Sequence, residues 1–189
     1  MRIVAGRHRG LVLETPADRR IRPTADRVRQ ALFDVLEHRF GIGAASPLRG
    51  AIVLDLFCGS GALGLEALSR GAARCVFVDS DAVALALAER NARRAKEIAN
   101  ARFVLRDATR LGPAPGQATL AFLDPPYGAG LAAAALTALR DQGWLADGAL
   151  VAVETGDDED VVWPAGYDCL DTRRHGRARI SILRAARPG

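Results

Sequence analysis

Residues 122–127, Phe-Leu-Asp-Pro-Pro-Tyr, join the apolar end of a strand to a carboxylate, two prolines and an aromatic ring. That combination suits holding a flat base by its exocyclic amine. The amine of guanine, adenine or cytosine is a poor nucleophile because its lone pair is delocalised into the ring. When Asp124 and the backbone carbonyl of Pro125 both accept from the NH2, the lone pair is pushed toward the vacant side. Pro125 fixes its own φ and biases Asp124 toward an extended conformation, and Pro126 does the same to Pro125. Tyr127 offers a ring for stacking, a contact of about 1–3 kcal/mol per base. The chemistry is positioning and electrostatics, with no covalent step. Alone, the four residues read equally well as a strand-ending turn around a buried proline pair.

The elements that would position them follow from periodicity. Residues 2–13 read as two short strands around Gly6 and Gly10. Thr24 is expected to cap a helix with Val28, Ala31, Leu32 and Val35 as its apolar stripe. Residues 41–50 read as a linker. From residue 51 strands and helices alternate: strands at 51–57, 74–79, 102–105, 119–123 and 149–154, helices at 62–70, 82–95 and 131–142, and a closing hairpin at 167–173 and 178–184. This predicts an α/β fold, a mostly parallel sheet with helices on both faces. Two parts are expected: an N-terminal hairpin-and-helix extension over residues 1–45 and a sheet domain over 46–189. Ligands of such sheets bind at the carboxyl ends of the strands, and Asp55, Asp79, Asp107 and Asp124 all fall there.

Gly59-Ser60-Gly61-Ala62-Leu63-Gly64 matches G-x-G-x-x-G between a strand and a helix, and Asp79 stands 20 residues after Gly59. The spacing fits a dinucleotide fingerprint, but a pyrophosphate wants the glycine turn free of negative charge. Asp55 puts a carboxylate there, which a cationic aminoacyl sulfonium would welcome. On these residues Asp55-Leu-Phe-Cys-Gly-Ser-Gly61 resembles motif I of the S-adenosylmethionine-dependent methyltransferases. That resemblance implies S-adenosylmethionine held by Asp55, Phe57, Gly59, Ser60 and Gly61, with Asp79 and Ser80 at the ribose and Asp107 and Ala108 at the adenine. A nicotinamide dehydrogenase is the weaker reading of the same glycines. Cys58 reads as a small loop residue, since a cytosine-C5 enzyme needs a nucleophile, usually within Pro-Cys, and the chain has no such dipeptide. His8, His38 and His175 have no interpretable partner spacing.

Composition narrows the class. There is no long apolar run and no leader pattern at the start, so the sequence reads as cytoplasmic, without a membrane span. Three cysteines without C-x-x-C spacing argue for reduced thiols and against a metal site. The net charge of +4 is unevenly distributed. Residues 1–30 carry eight Arg against three acids, residues 171–189 carry six Arg against one, and the middle is acidic. Basic ends flanking an acidic body suggest a phosphate-binding surface.

Arg2-Ile-Val-Ala-Gly6, Arg9-Gly10, Arg22-Pro-Thr-Ala-Asp-Arg-Val-Arg-Gln-Ala-Leu-Phe33, Asp55 to Gly71 and Gly143-Trp-Leu-Ala-Asp147 together resemble the RsmD family, which methylates guanine N2 in 16S ribosomal RNA. The resemblance spans most of the chain and weakens after Glu154. It implies a seven-stranded Rossmann-like class I methyltransferase sheet, S-adenosylmethionine, and a 30S subunit or its precursor as partner, with the chain a monomer. Arg7, Arg9, Arg22, Thr24, Arg27 and Arg29 are expected to meet the nucleic acid near the active site. Arg27 and Arg29 cannot share one helix face, so at least one is expected to serve packing or an internal acid. A DNA base methyltransferase is the alternative, because amine-directed DNA enzymes share Asp-Pro-Pro-Tyr. A non-catalytic RNA-binding module would need no Asp124.

Overall fold

A computed structural model of the protein describes residues 1–15, 23–41, 46–128 and 130–186, with residues 23–25 described by backbone alone. Seven strands form one sheet: β1 Ile52–Leu56, β2 Arg74–Asp79, β3 Ala101–Leu105, β4 Ala118–Leu123, β5 Leu145–Gly156, β6 Tyr167–His175 and β7 Ala178–Ala185. Their order is β3-β2-β1-β4-β5-β7-β6. The first five run parallel, while β7 pairs antiparallel with both β5 and β6. Chain order reverses between β1 and β4, which is where such sheets open a crevice at their carboxyl ends.

Side-chain alternation sorts the core into two layers. Val53, Phe77, Leu120 and Phe122 face a cluster with helices α1 (Pro23–Arg39), α2 (Ala62–Ser69) and α3 (Ala82–Arg94). Leu54, Leu56, Leu123 and Val153 face the opposite cluster, capped by α4 (Leu131–Asp141) through Ala135, Leu136 and Leu139. Each fully buried leucine contributes about 1.5–3 kcal/mol, so strands with both faces covered carry near-continuous apolar runs. No helix among the described residues is long and apolar enough to cross a membrane.

One expectation is corrected in detail and another is refined. Helix α1 begins at Pro23, whose fixed φ suits a first helical turn, so Thr24 lies inside the helix instead of capping it. The buried stripe of α1 is Arg29, Leu32, Phe33 and Leu36. Of the expected stripe, Leu32 is buried and Val28 and Val35 are half-buried and packed against the same core, with Ala31 half-buried beside them.

The N-terminal segment folds back on itself, with Ile3 and Leu13 donating to the carbonyls of Leu11 and Met1 at 2.9 and 3.0 Å. Only Arg2 and Val12 form a bridge, so it is a strap and not a pair of full strands. The strap lies along α2. Glu66, fully buried, accepts from the backbone N–H of Val4 and Ala5 at 2.8 and 3.0 Å, and Arg7 N–H donates to the Ser69 carbonyl at 2.8 Å.

Candidate active site

The β1–α2 loop is held from two sides. Asp79, ending β2, accepts from the Gly59 N–H through Oδ2 and from the Asp81 N–H through Oδ1, both at 2.9 Å. Each carboxylate oxygen has a second lone pair, so Asp79 retains acceptor capacity for ribose hydroxyls. Asp55 supports the loop from beneath. Its neighbours in register are Phe77 and Phe122, one position short of the strand end, and its Oδ2 accepts from the Gly64 N–H at 2.9 Å. At 1% exposure it lies below the loop. Burial pushes its carboxyl up, the Gly64 bond opposes this, and the charges of Asp124 and Asp79 add to the rise. The arrangement makes Asp55 an anchor for the loop, whereas the sequence suggested a direct counter-ion for a sulfonium.

Phe57 has φ 57° and Gly59 φ 52°, a left-handed region that is costly for a side chain such as Phe57 and recurs at ligand loops. A Cβ on Gly59 would meet only the Phe57 carbonyl, 4.0 Å away, so the space above the loop is open to a ligand. Ser60 is half-buried and Ser80 exposed, while Gly61 is packed against Phe77 and Ala88. Asp107, exposed beyond β3, accepts from the Thr109 hydroxyl and N–H at 2.7 and 2.8 Å. These bonds hold its carboxyl below the usual range, so it stays an acceptor. Ala108 is buried beside it. An open glycine loop flanked by Asp79 and Asp107 fits the ribose and adenine of S-adenosylmethionine. Cys58 is buried, and burial together with Asp55 and Asp79 pushes its thiol up, which suits an inert loop residue and not a thiolate nucleophile.

The D-P-P-Y segment leaves the end of β4. Asp124, Pro126 and Tyr127 are exposed and Pro125 is buried. Asp124 and Tyr127 line an open cleft of about 1020 Å³, walled by Val28 and Leu32 of α1, Leu63 of α2, and the β6–β7 turn at Gly176. Two acids missed in the sequence complete it. The Tyr127 hydroxyl donates to Glu154 Oε1 at 2.5 Å. Glu159 Oε1 accepts from the Gly128 and Gly156 N–H groups at 2.8 and 3.1 Å, tying the segment to the end of β5. Partial burial, the Glu154 bond and the nearby Asp124 and Glu159 charges push the Tyr127 hydroxyl pKa up. Glu154 carried a legible signal: like Asp79 and Asp124, it is an acid near the end of an apolar strand.

The arginines expected at the nucleic acid do not gather there. Arg22 lies outside the described residues, as does the Thr24 side chain. Arg7 and Arg9 sit at the tip of the strap, beside the C-terminus of α2. That is about 12 Å along an eight-residue helix from the glycine loop. Arg7 spends its guanidinium on Glu97, Nε at 2.7 Å and Nη2 at 2.6 Å. Of Arg27 and Arg29, the one that serves an internal acid instead of a phosphate is Arg29: it is 5% exposed and donates through Nη2 to the Arg2 carbonyl and to Asp26. Its Nε lies 3.8 Å from Glu66. Arg27, two residues away on the other face, is exposed near the cleft end of α1.

This sheet order, with a glycine loop after β1 and an acid ending β2, defines the class I S-adenosylmethionine-dependent methyltransferase fold. The family profile described as Conserved hypothetical protein 95 matches residues 1–184. Over 156 residues the chain is 40% identical to the ribosomal RNA small subunit methyltransferase D of Escherichia coli K12, covering 82% of this chain and 74% of that one. The solved structure of yhhF from Escherichia coli superposes with TM-score 0.84 at 34% identity, over 100% of this chain and 99% of that chain. An RNA methyltransferase from Salinibacter ruber, solved with S-adenosyl-L-homocysteine, shares the fold at TM-score 0.60 and 19% identity, over 90% and 95% of the two chains. The chain belongs to the Conserved hypothetical protein 95 family, the RsmD family of methyltransferases.

Proposed function

We propose that the protein transfers a methyl group from S-adenosylmethionine to the exocyclic N2 of a guanine in 16S ribosomal RNA, on an assembling or assembled 30S particle. The observation that carries the reading is Asp124-Pro-Pro-Tyr127 at the end of β4, opening onto a cleft beside the glycine loop. The relatives named for small-subunit ribosomal RNA support the choice of RNA. When bound, S-adenosylmethionine supplies an electrophilic methyl carbon on a sulfonium.

The chain's own residues prepare the nucleophile. Asp124 and the Pro125 carbonyl accept from the two N2 hydrogens, which turns the lone pair toward the methyl. The stacked ring of Tyr127 fixes the base plane. The N2 lone pair forms the new bond to carbon while the carbon–sulfur bond breaks, its electron pair staying on sulfur. N2 then releases one proton to solvent. Guanine in a duplex hides N2 in the minor groove, so the base must be unpaired or flipped to enter the cleft.

Labelled S-adenosylmethionine offered with naked 16S RNA, 30S particles and DNA, followed by nucleoside analysis, tests this. The expected product is N2-methylguanosine from the RNA. Label in a DNA base alone would sink the reading in favour of an amine-directed DNA enzyme.

A further inference from the structure

The D-P-P-Y geometry holds an amine but does not select guanine, since adenine and cytosine carry amines too. What separates guanine is the atom beside the amine: N1 bears a hydrogen and donates, whereas adenine N1 and cytosine N3 accept. A site that chooses guanine therefore needs a second acceptor next to the one that holds N2.

The register of β4 and β5 supplies one. These strands are parallel neighbours, with Phe122 opposite Ala152 and Leu123 opposite Val153. The next residues are Asp124 and Glu154, on backbones about 4.8 Å apart. In a parallel pair, residues in register share a face. Leu123 and Val153 lie in the α4 cluster, Phe122 and Ala152 in the opposite one. With Asp124 kept extended by Pro125, alternation turns Asp124 and Glu154 to the face of α1 and α2, where both line the cleft. Glu154 Oε1 takes the Tyr127 hydroxyl at 2.5 Å, which holds the carboxylate at the edge of the stacking ring. Among the described residues no hydrogen bond to Glu154 Oε2 is formed.

Resting on the proposed guanine-N2 reading, we infer that Glu154 is the specificity-determining residue: its carboxylate accepts from guanine N1–H while Asp124 accepts from N2. An ionised carboxylate is acceptor-only, so it repels the N1 of adenine and the N3 of cytosine. The selection is made as much by that repulsion as by the bond to guanine.

The test compares guanine with 2-aminopurine, which keeps the N2 amine and lacks the N1 hydrogen, at the nucleotide the wild type labels. The wild type is expected to favour guanine in kcat/KM by roughly 10- to 100-fold, the range for a hydrogen bond to a charged group. In Glu154→Ala that preference collapses, because the 2-aminopurine rate falls only as far as it does in Tyr127→Phe while the guanine rate falls further. Tyr127→Phe removes only the hydroxyl and should keep the preference, even though turnover drops. If Glu154→Ala folds poorly, Glu154→Gln preserves volume and should narrow the ratio. Equal losses on both bases in Glu154→Ala, matched by Tyr127→Phe, overturn the inference by reducing Glu154 to a prop for the ring. The functional reading fails separately, when the wild-type product is not N2-methylguanosine.

Discussion

The Gly64 backbone N–H donates to Asp55 Oδ2 at 2.9 Å, joining the first turn of α2 to the buried interior of β1. So close an approach leaves no room for a side chain at residue 64. A Cβ there would stand 2.4 Å from Phe77 Cε1 and 2.5 Å from Cys75 Sγ. Gly64→Ala should therefore destabilise by about 1–3 kcal/mol, as overpacked cores do. Thermal denaturation would read this as a fall of about 2–4 °C per kcal/mol, and an unchanged Tm would show that α2 can shift at no cost.

Asp124→Ala removes the acceptor that orients the amine but leaves the glycine loop, Asp79 and Asp107 intact. Turnover should fall by about 10²–10³-fold or more, the scale of a lost transition-state hydrogen bond, while calorimetric affinity for S-adenosylmethionine stays within twofold. Retained turnover would remove Asp124 from the chemistry.

Tyr127 is 50% exposed, with its ring on the cleft. Tyr127→Ala gives up the stacking contact of about 1–3 kcal/mol and should lower RNA affinity accordingly. Tyr127→Phe keeps the ring and should bind RNA nearly as well as wild type. Filter-binding or fluorescence titration at one fixed salt concentration distinguishes them.

The two ends of the molecule should respond differently to arginine removal. Arg27, exposed on the cleft end of α1, is expected to touch phosphate, and Arg27→Ala should reduce the salt slope of RNA binding by about one. Arg9, at the distal tip of the strap, should leave the rate at saturating RNA unchanged when replaced by Ala. A fall in that rate would mean that the strap tip reaches the reacting complex.

Glu97 is 3% exposed and receives Arg7, His8 at 2.5 Å and Asn100 at 2.8 Å. Burial pushes its carboxyl up, but the hydrogen bonds from Asn100 and His8 and the Arg7 charge outweigh it and hold the carboxyl below its ordinary value. A depressed folded pKa contributes stability that is present above the unfolded value, about 4.3, and is lost as pH falls through the folded value. Tm followed from pH 6 downward should drop on the acid side in the wild type. Glu97→Gln should start lower and show a shallower drop.

Alternation and glycine punctuation made the sheet legible in the sequence, because strands buried on both faces must be apolar throughout and helices must follow them in a parallel sheet. The strand-end acids and the D-P-P-Y segment were legible for the same reason. The places of Arg7 and Arg9 were not legible because composition reports charge and not partner: Arg7 answers Glu97 and the strap places Arg9 at the far end of α2. The expectation that one of Arg27 and Arg29 serves an internal acid is met at Arg29, which answers Asp26 and Glu66. Asp55 looked like a ligand because it precedes the glycines. Its place one residue inside the strand end, visible only in the register, makes it a support.

The antiparallel turn of β7 onto β5 has a consequence for how this fold can change. It brings the β6–β7 turn to the same end as the glycine loop, so one wall of the cleft is a hairpin tip, at Gly176 and Arg177, that lies apart from Asp79 and Asp107 in the sheet. A Cβ at Gly176 meets nothing within 4 Å, and residues inserted there would extend into solvent. The cleft can thus be deepened or narrowed for a different RNA shape while the methyl-donor half is left as it is.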